Sequence, residues 1–237
     1  MRIFFIIVYL INFTKYSYGF NNLFHTENYT ISYLRSCNEN CIEPYGKLIG
    51  INNNVPSFSN CKSLCINRPG FAVKKEISGF IKDVWIGLPW QCVEYVRRWV
   101  LENQKIEFDD VDYAYEIWDR KVAQDLKSGE YISYLNFLNG SEFPPKYGDI
   151  IVYDKSFDLP YGHVAIITNV NVIDRYIDIA EENFLNNMWE NFYSYSRRIK
   201  LVVNKNKYYI SNISFKNDST YFSKNINILG WKRLNKE

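Results

Sequence analysis

The chain has 237 residues, with 28 basic and 26 acidic side chains, 47% hydrophobic residues and 18% aromatic ones. The near balance of charge argues against nucleic acid as the main partner. The length suits one domain with a sizeable core and extensions better than two domains, and aromatic residues spread along the whole chain read as core fillers and groove linings.

The first residues have the form of a secretory signal, with Arg2 ahead of an apolar stretch from Ile3 to Phe13 and then Ser17-Tyr18-Gly19 at cleavage spacing. We therefore expect residues 1–19 to be a signal peptide, and the protein to be secreted or lumenal. A run of about 11 apolar residues is too short to cross a bilayer, which takes ~20, and no later segment qualifies, so no membrane span is expected after signal removal. Losing Arg2 and Lys15 leaves equal numbers of basic and acidic side chains. Residues 20–42 are polar and Asn-rich and read as an extension tied down by cysteines. Four of the five cysteines fall into two CxxxC pairs, Cys37/Cys41 and Cys61/Cys65. In an oxidising compartment these are expected as disulfides, with three connectivities open, and their spacing is not the commonest one for zinc. Sequons at Asn28, Asn139, Asn212 and Asn217 fit a secreted glycoprotein.

From Glu43 to about Gly79, turn residues alternate with short apolar runs, predicting loops and brief strands. A helix follows Pro89, with Val93, Val96, Trp99 and Val100 on its apolar face and Glu94, Arg97, Arg98 and Glu102 on its polar one. A second helix is predicted from Asp110 to about Lys127, its N-terminus marked by Asp110 and Asp112. Beyond Gly148 the pattern turns to strands over 149–153, 163–170, 176–180, 196–203, 207–210 and 226–231. Helices first and strands afterwards is the order of an α+β domain with an antiparallel sheet.

Cys92 is the odd cysteine, placed at the start of the first helix, where unsatisfied N–H groups and partial positive charge favour a thiolate. The same N–H groups would hold the oxyanion of a tetrahedral intermediate. The chain has two histidines, and His25 lies in the polar N-terminal stretch. A Cys/His couple therefore points to His163, which opens a predicted strand behind Gly162. A third group should orient the imidazole. Strand alternation puts Ile177, Ile179, Glu181 and Asn183 on one face, so Glu181 is the acid drawn inward, while Asp178 and Glu182 read as solvated surface charge. Two histidines do not build a usual catalytic zinc site, and neither metal nor cofactor is expected.

Taken together, Trp90-Gln91-Cys92-Val93-Glu94-Tyr95-Val96-Arg97-Arg98, Gly148-Asp149-Ile150-Ile151-Val152-Tyr153, Gly162-His163-Val164-Ala165-Ile166-Ile167-Thr168 and Ile179-Ala180-Glu181-Glu182-Asn183 resemble the cysteine, histidine-dependent amidohydrolase/peptidase (CHAP) family. Within it, the sequence is most similar to the amidase domain of glutathionylspermidine synthetase/amidase and trypanothione synthetase. The likeness extends from Tyr45-Gly46-Lys47 to Ile228-Leu229-Gly230-Trp231 and implies a papain-like α+β CHAP amidase domain over residues 43–234, with N-terminal helices on an antiparallel sheet. It implies Cys92 as nucleophile, His163 as general base and acid, and Glu181 as orienting carboxylate. It also makes Arg97, Asn183 and Gln91 substrate-binding residues. As an ordinary helical residue, Arg97 would instead bridge Glu94, worth only ~0.3–0.5 kcal/mol. The implied reaction is hydrolysis, through a thioester, of an amide in a small-molecule or peptide substrate, such as a glycine–polyamine bond. The sequence ends soon after Trp231, so no ligase half is expected. A cell-wall peptide hydrolase, and a non-catalytic CHAP-fold binding protein, are the competing expectations.

Overall fold

The computed structural model describes residues 40–235, apart from 63, 67–69, 78–79, 218 and 222–224. The expected signal peptide, His25, Asn28 and Cys37 lie outside the described residues. Two hairpins come first, β1 (Leu48–Asn52) with β2 (Val55–Phe58), and β3 (Phe71–Ile77) with β4 (Phe80–Gly87). Helix α1 (Cys92–Gln104) follows. After it come β5 (Ile106–Glu107), a 3₁₀ turn (Ala114–Asp119), β6 (Val122–Asp125) and β7 (Tyr131–Leu138). The central strands are β8 (Ile150–Tyr153), β9 (His163–Asn171) and β10 (Tyr176–Ala180), followed by β11 (Arg197–Asn204), β12 (Lys207–Ser214) and β13 (Ile228–Leu234).

Among the described residues, nine strands make one antiparallel sheet in the order β12-β11-β10-β9-β8-β13-β7-β6-β5. The six strand segments read from the sequence all fall in it. Strand alternation divides the central strands between two cores. Ile150, Val152, Val164, Ile166 and Ala180 meet Tyr95, Val96, Trp99 and Val100 of α1 on one side. Ile151, Ala165, Ile167, Ile177 and Ile179 pack with Ile199, Leu201, Ile210, Ile228 and Trp231 on the other. All four residues of β8 are buried, as a strand covered on both faces requires. The sheet curls far enough that Asn139, just after β7, brackets Ile210 of β12, donating to its carbonyl at 3.0 Å and accepting from its N–H at 2.7 Å.

The expectation of several N-terminal helices is corrected: the domain is mostly antiparallel sheet, with α1 the single α-helix among the described residues. The segment expected as a helix from Asp110 to Lys127 forms only the 3₁₀ turn and then the edge strand β6. A local cap starts that turn, and a distant partner ends it against the helical periodicity. Glu116 accepts from the N–H groups of Asp112 and Tyr113 at 3.1 and 3.2 Å. At the other end, Lys232 of β13 donates to the carbonyls of Trp118 and Arg120 at 2.9 and 2.7 Å, and to Asn136 Oδ1 at 2.7 Å. Val122 then pairs with Ser133 of β7.

Lys232 is 0% exposed, and every acceptor it reaches in that bracket is neutral. Burial lowers its pKa to about 8, with Lys121 adding to the effect against Asp119. Lys232→Met would take the Lys232 donor from the Arg120 carbonyl and Asn136 Oδ1, leaving Trp118 O only its bond from Asn136 Nδ2, and is expected to cost about 1–3 kcal/mol of stability, read as a lower urea midpoint at unchanged slope.

Candidate active site

Cys92 is the first residue of α1, and the chain reaches it through a tight turn. Trp90 adopts φ +63°, a left-handed conformation rare for a bulky side chain, and the Gln91 N–H closes on Leu88 O at 3.3 Å. The helix opens with no side-chain cap, so its first-turn N–H groups have no intrahelical acceptor. Cys92 is buried and is the free thiol among the described residues.

His163 opens β9 in register with Tyr153 of β8. Gly162 before it has φ +66°, and a Cβ there would stand 2.7 Å from Tyr153 O and 2.9 Å from Tyr115 Cβ. Gly162 is therefore a close-approach position that a larger residue would not fit. The imidazole is fixed by rings, 5.4 Å from Tyr153 and 4.8 Å from Phe184 between centroids. Its Nε2 bonds Glu181 Oε2 at 2.8 Å, and the Cys92 sulfur lies close enough to the ring to act on its charge. The structure thus brings Cys92, His163 and Glu181 into one row at the N-terminal end of α1.

Electrostatics favour an imidazolium in that row. Burial works against the charge on His163, but the Cys92 sulfur, through charge and hydrogen bonding, and then Glu181 outweigh it and raise the imidazole to about 9. Burial likewise opposes ionisation of Glu181, yet Arg197 first and His163 second hold that carboxyl at about 2. Arg197 was not singled out in the sequence. It donates from Nε to Glu181 Oε1 at 2.5 Å and from Nη2 to Oε2 at 2.9 Å, while Ser196 Oγ reaches Oε1 at 3.0 Å. A signal was present: positions 197, 199 and 201 share the inward face of a strand, and an arginine beside Ile199 and Leu201 asks for a buried acid.

Gln91 and Asn183 also meet near Cys92, with Asn183 Nδ2 donating to Gln91 Oε1 at 2.7 Å. Gln91 Nε2 donates in turn to Cys65 O at 2.7 Å, and Asn60 Nδ2 to Asn183 Oδ1 at 3.1 Å. Arg97 sits elsewhere. Five residues along a helix is about 7.5 Å of rise and roughly 140° of rotation from Cys92, and Arg97 pairs with Asp110 at 2.9 Å and lies 5.7 Å from the Phe108 centroid. The bridge to Glu94 belongs to Arg98, at 2.6 Å.

The reading of Glu182 and Asp178 as solvated charge is overturned, since both are buried. Asp178 takes a two-point pair from Arg198, at 2.6 and 3.0 Å. Glu182 Oε1 accepts from the Phe58 N–H at 2.6 Å and from Arg98 at 3.2 Å. Burial, and next the neighbouring Glu94, push Glu182 well above the usual carboxylate range against the pull of Arg98. The expected polar face of α1 is likewise corrected: Glu94, Arg97 and Arg98 are buried because hairpins and loops close over it.

Of the expected disulfides, Cys41 is bonded to Cys61, joining the two CxxxC segments, and Cys65 is disulfide-bonded too. Two sequons carry structural bonds, Asn139 to Ile210 and Asn212 to Arg197 at 2.7 Å, whereas Asn217 is exposed. No helix among the described residues is long and apolar enough to cross a membrane.

Residues 83–183 match the CHAP domain family. Trypanothione synthetase of Crithidia fasciculata is 31% identical over 158 residues, 66% of this chain and 23% of that protein. The bifunctional glutathionylspermidine synthetase/amidase of Escherichia coli (strain K12) is 26% identical over 189 residues, 79% of this chain and 29% of that protein. Endolysin PlyTW of Staphylococcus phage Twort is 32% identical over 85 residues, 32% of this chain and 18% of that protein. The chain thus spans less than a third of the length of these curated relatives. Cys92, His163, Glu181 and Asn183 fall inside the matched segment, and Arg197 outside it.

The shifts at Glu181 and His163 fix how the pair affects stability. A carboxyl lowered from 4.5 to about 2 stabilises the fold above about pH 4.5, and this is lost as pH falls through 2. An imidazole raised from 6.5 to about 9 stabilises fully below 6.5, and this is lost as pH rises through 9. The difference in unfolding free energy between the wild type and Glu181→Gln is expected to peak between those windows and shrink on both sides. A difference flat with pH would contradict this assignment.

Proposed function

We propose that this chain, whose residues 83–183 are a CHAP domain, hydrolyses amide bonds with Cys92 as nucleophile, His163 as general base and acid, and Glu181 as the orienting carboxylate. The observation that carries this reading is the imidazole itself, bonded to Glu181 at 2.8 Å with the Cys92 sulfur close enough to act on its charge. The thiolate attacks the amide carbon, and the carbonyl oxygen becomes an oxyanion held by first-turn N–H groups of α1, that of Cys92 included. His163 gives its Nδ1 proton to the departing amine, the C–N bond breaks, and the acyl group remains as a thioester on Cys92. His163 then takes a proton from water, whose oxygen attacks the thioester to release the acid and regenerate the thiolate. Glu181 holds Nε2 throughout and keeps Nδ1 aimed at sulfur. Gln91 and Asn183 fix each other beside the nucleophile, where they bound the substrate site.

The substrate we favour is a glycine–polyamine amide of the glutathionylspermidine type, supported by similarity to a protein named as an amidase of that compound. A second reading, cleavage of cell-wall peptide, is supported by the likeness to a phage endolysin. The Cys41–Cys61 bond supports folding in an oxidising compartment and a secreted or lumenal location.

Incubation with glutathionylspermidine and, separately, with cell-wall stem peptides is expected to release free amine from the first. Release from the wall peptides alone would favour the second reading. Cys92→Ala is expected to lower turnover by about 10⁴-fold or more with the thermal midpoint nearly unchanged. Wild-type-like turnover in that variant would reject the mechanism. No turnover of either substrate, together with alkylation of Cys92 no faster than a model thiol, would leave a binding protein.

A further inference from the structure

Glu181 is 3% exposed, and both its oxygens are occupied. Oε1 accepts from Arg197 Nε and Ser196 Oγ, and Oε2 from Arg197 Nη2 and His163 Nε2. The guanidinium is as buried as the acid. It lies 3.6 Å from the Phe184 centroid and 4.7 Å from that of Tyr221, and its remaining donors reach Asn212 Oδ1 at 2.7 Å and the Tyr153 hydroxyl at 3.3 Å. Phe184 and Tyr153 are the same two rings that hold His163. One rigid packing unit therefore positions the arginine, the carboxylate and the imidazole together.

A carboxylate in this apolar setting, with only His163 as partner, would be prone to take the imidazole's proton and leave two neutral groups. An arginine stays charged in proteins, so its counter-charge is permanent and its planar fork fixes the carboxylate plane. We propose that Arg197 is a positioning residue for the reaction: it keeps Glu181 ionised and oriented so that His163 points Nδ1 at Cys92, and it thereby governs how readily Cys92 reacts. The titratable and charged groups around Glu181 are Arg197 from β11, His163 from β9, Tyr153 from β8, Cys92 and Tyr95 from α1, and Glu182 beside it, which is turned toward Arg98. Among these, Arg197 alone bonds both carboxylate oxygens. The inference rests on the proposed cysteine mechanism, but its central readout needs no substrate.

The test follows iodoacetamide labelling of Cys92 against pH in the full chain with disulfides intact, alongside amide turnover and the thermal midpoint. In Arg197→Met, loss of the cation that keeps Glu181 ionised is expected to weaken the imidazolium beside the sulfur and move the labelling midpoint up by about one pH unit or more, a tenfold loss of thiolate at a given acidic pH. In Arg197→Lys, which keeps charge but not the fork, the labelling midpoint is expected to stay within a few tenths of a unit of the wild type while turnover falls roughly tenfold. A purely structural arginine would lower the thermal midpoint and leave the labelling midpoint in place; that result in folded Arg197→Met overturns the proposal. If Arg197→Met does not fold, Arg197→Lys decides alone, and wild-type turnover in it overturns the proposal. A shifted labelling midpoint in a protein that cleaves neither substrate would uphold the role of Arg197 and reject the amidase reading instead.

Discussion

A single buried carboxylate organises the end of the molecule where Cys92 lies. Ionised Glu181 would be costly in that interior by itself, and the structure meets the cost with a fixed cation on one flank and an imidazole on the other. Each partner comes from a different strand, β9 for His163 and β11 for Arg197, and β10 runs between them into Glu181. Removing one strand from that order would separate charges that stand together only while the sheet holds its register. The geometry at Cys92 is thus inherited from backbone pairing across three strands.

Successive residues of one short segment serve two separate ion clusters. Glu181 goes to Arg197 and His163, while Glu182 goes to Arg98, Glu94 and the Phe58 N–H. In the second cluster one guanidinium serves two buried carboxyls, and burial together with Glu94 raises the pKa of Glu182, which favours its neutral form over a second buried negative charge. Arg98 also reaches the Pro56 carbonyl at 2.5 Å, which ties hairpin β1–β2 to α1. The disulfide between Cys41 and Cys61 staples the same region, and Cys65 next along presents its carbonyl to Gln91. These links hold the start of α1 against the sheet without a side-chain cap.

The site was more legible in the sequence than the fold around it. Cys92 and His163 stood out because reactive residue types are scarce in this chain, and Glu181 because strand alternation carried a charge to an apolar face. The strands of the C-terminal half were readable from their unbroken runs of Ile and Val. Strand β7 was not, since its side chains are mostly exposed or half-buried and its apolar residues follow no clean alternation. The segment after Asp110 misled because its acidic start and apolar spacing satisfy a helix locally, whereas Lys232, far along the chain, closes it as a single turn.

Local chemistry determined which residues could react and which segments would be strand, because periodicity, turn residues and the rarity of cysteine and histidine act within a few positions. Partnership was decided only by tertiary structure. Arg98 rather than Arg97 pairs with Glu94, Glu182 is buried instead of solvated, and Arg197 clamps Glu181, because each outcome depends on which residues from distant strands and loops close over one another. A charge in sequence is free to be surface or core, and its burial is set by the register and curl of the sheet that carries it.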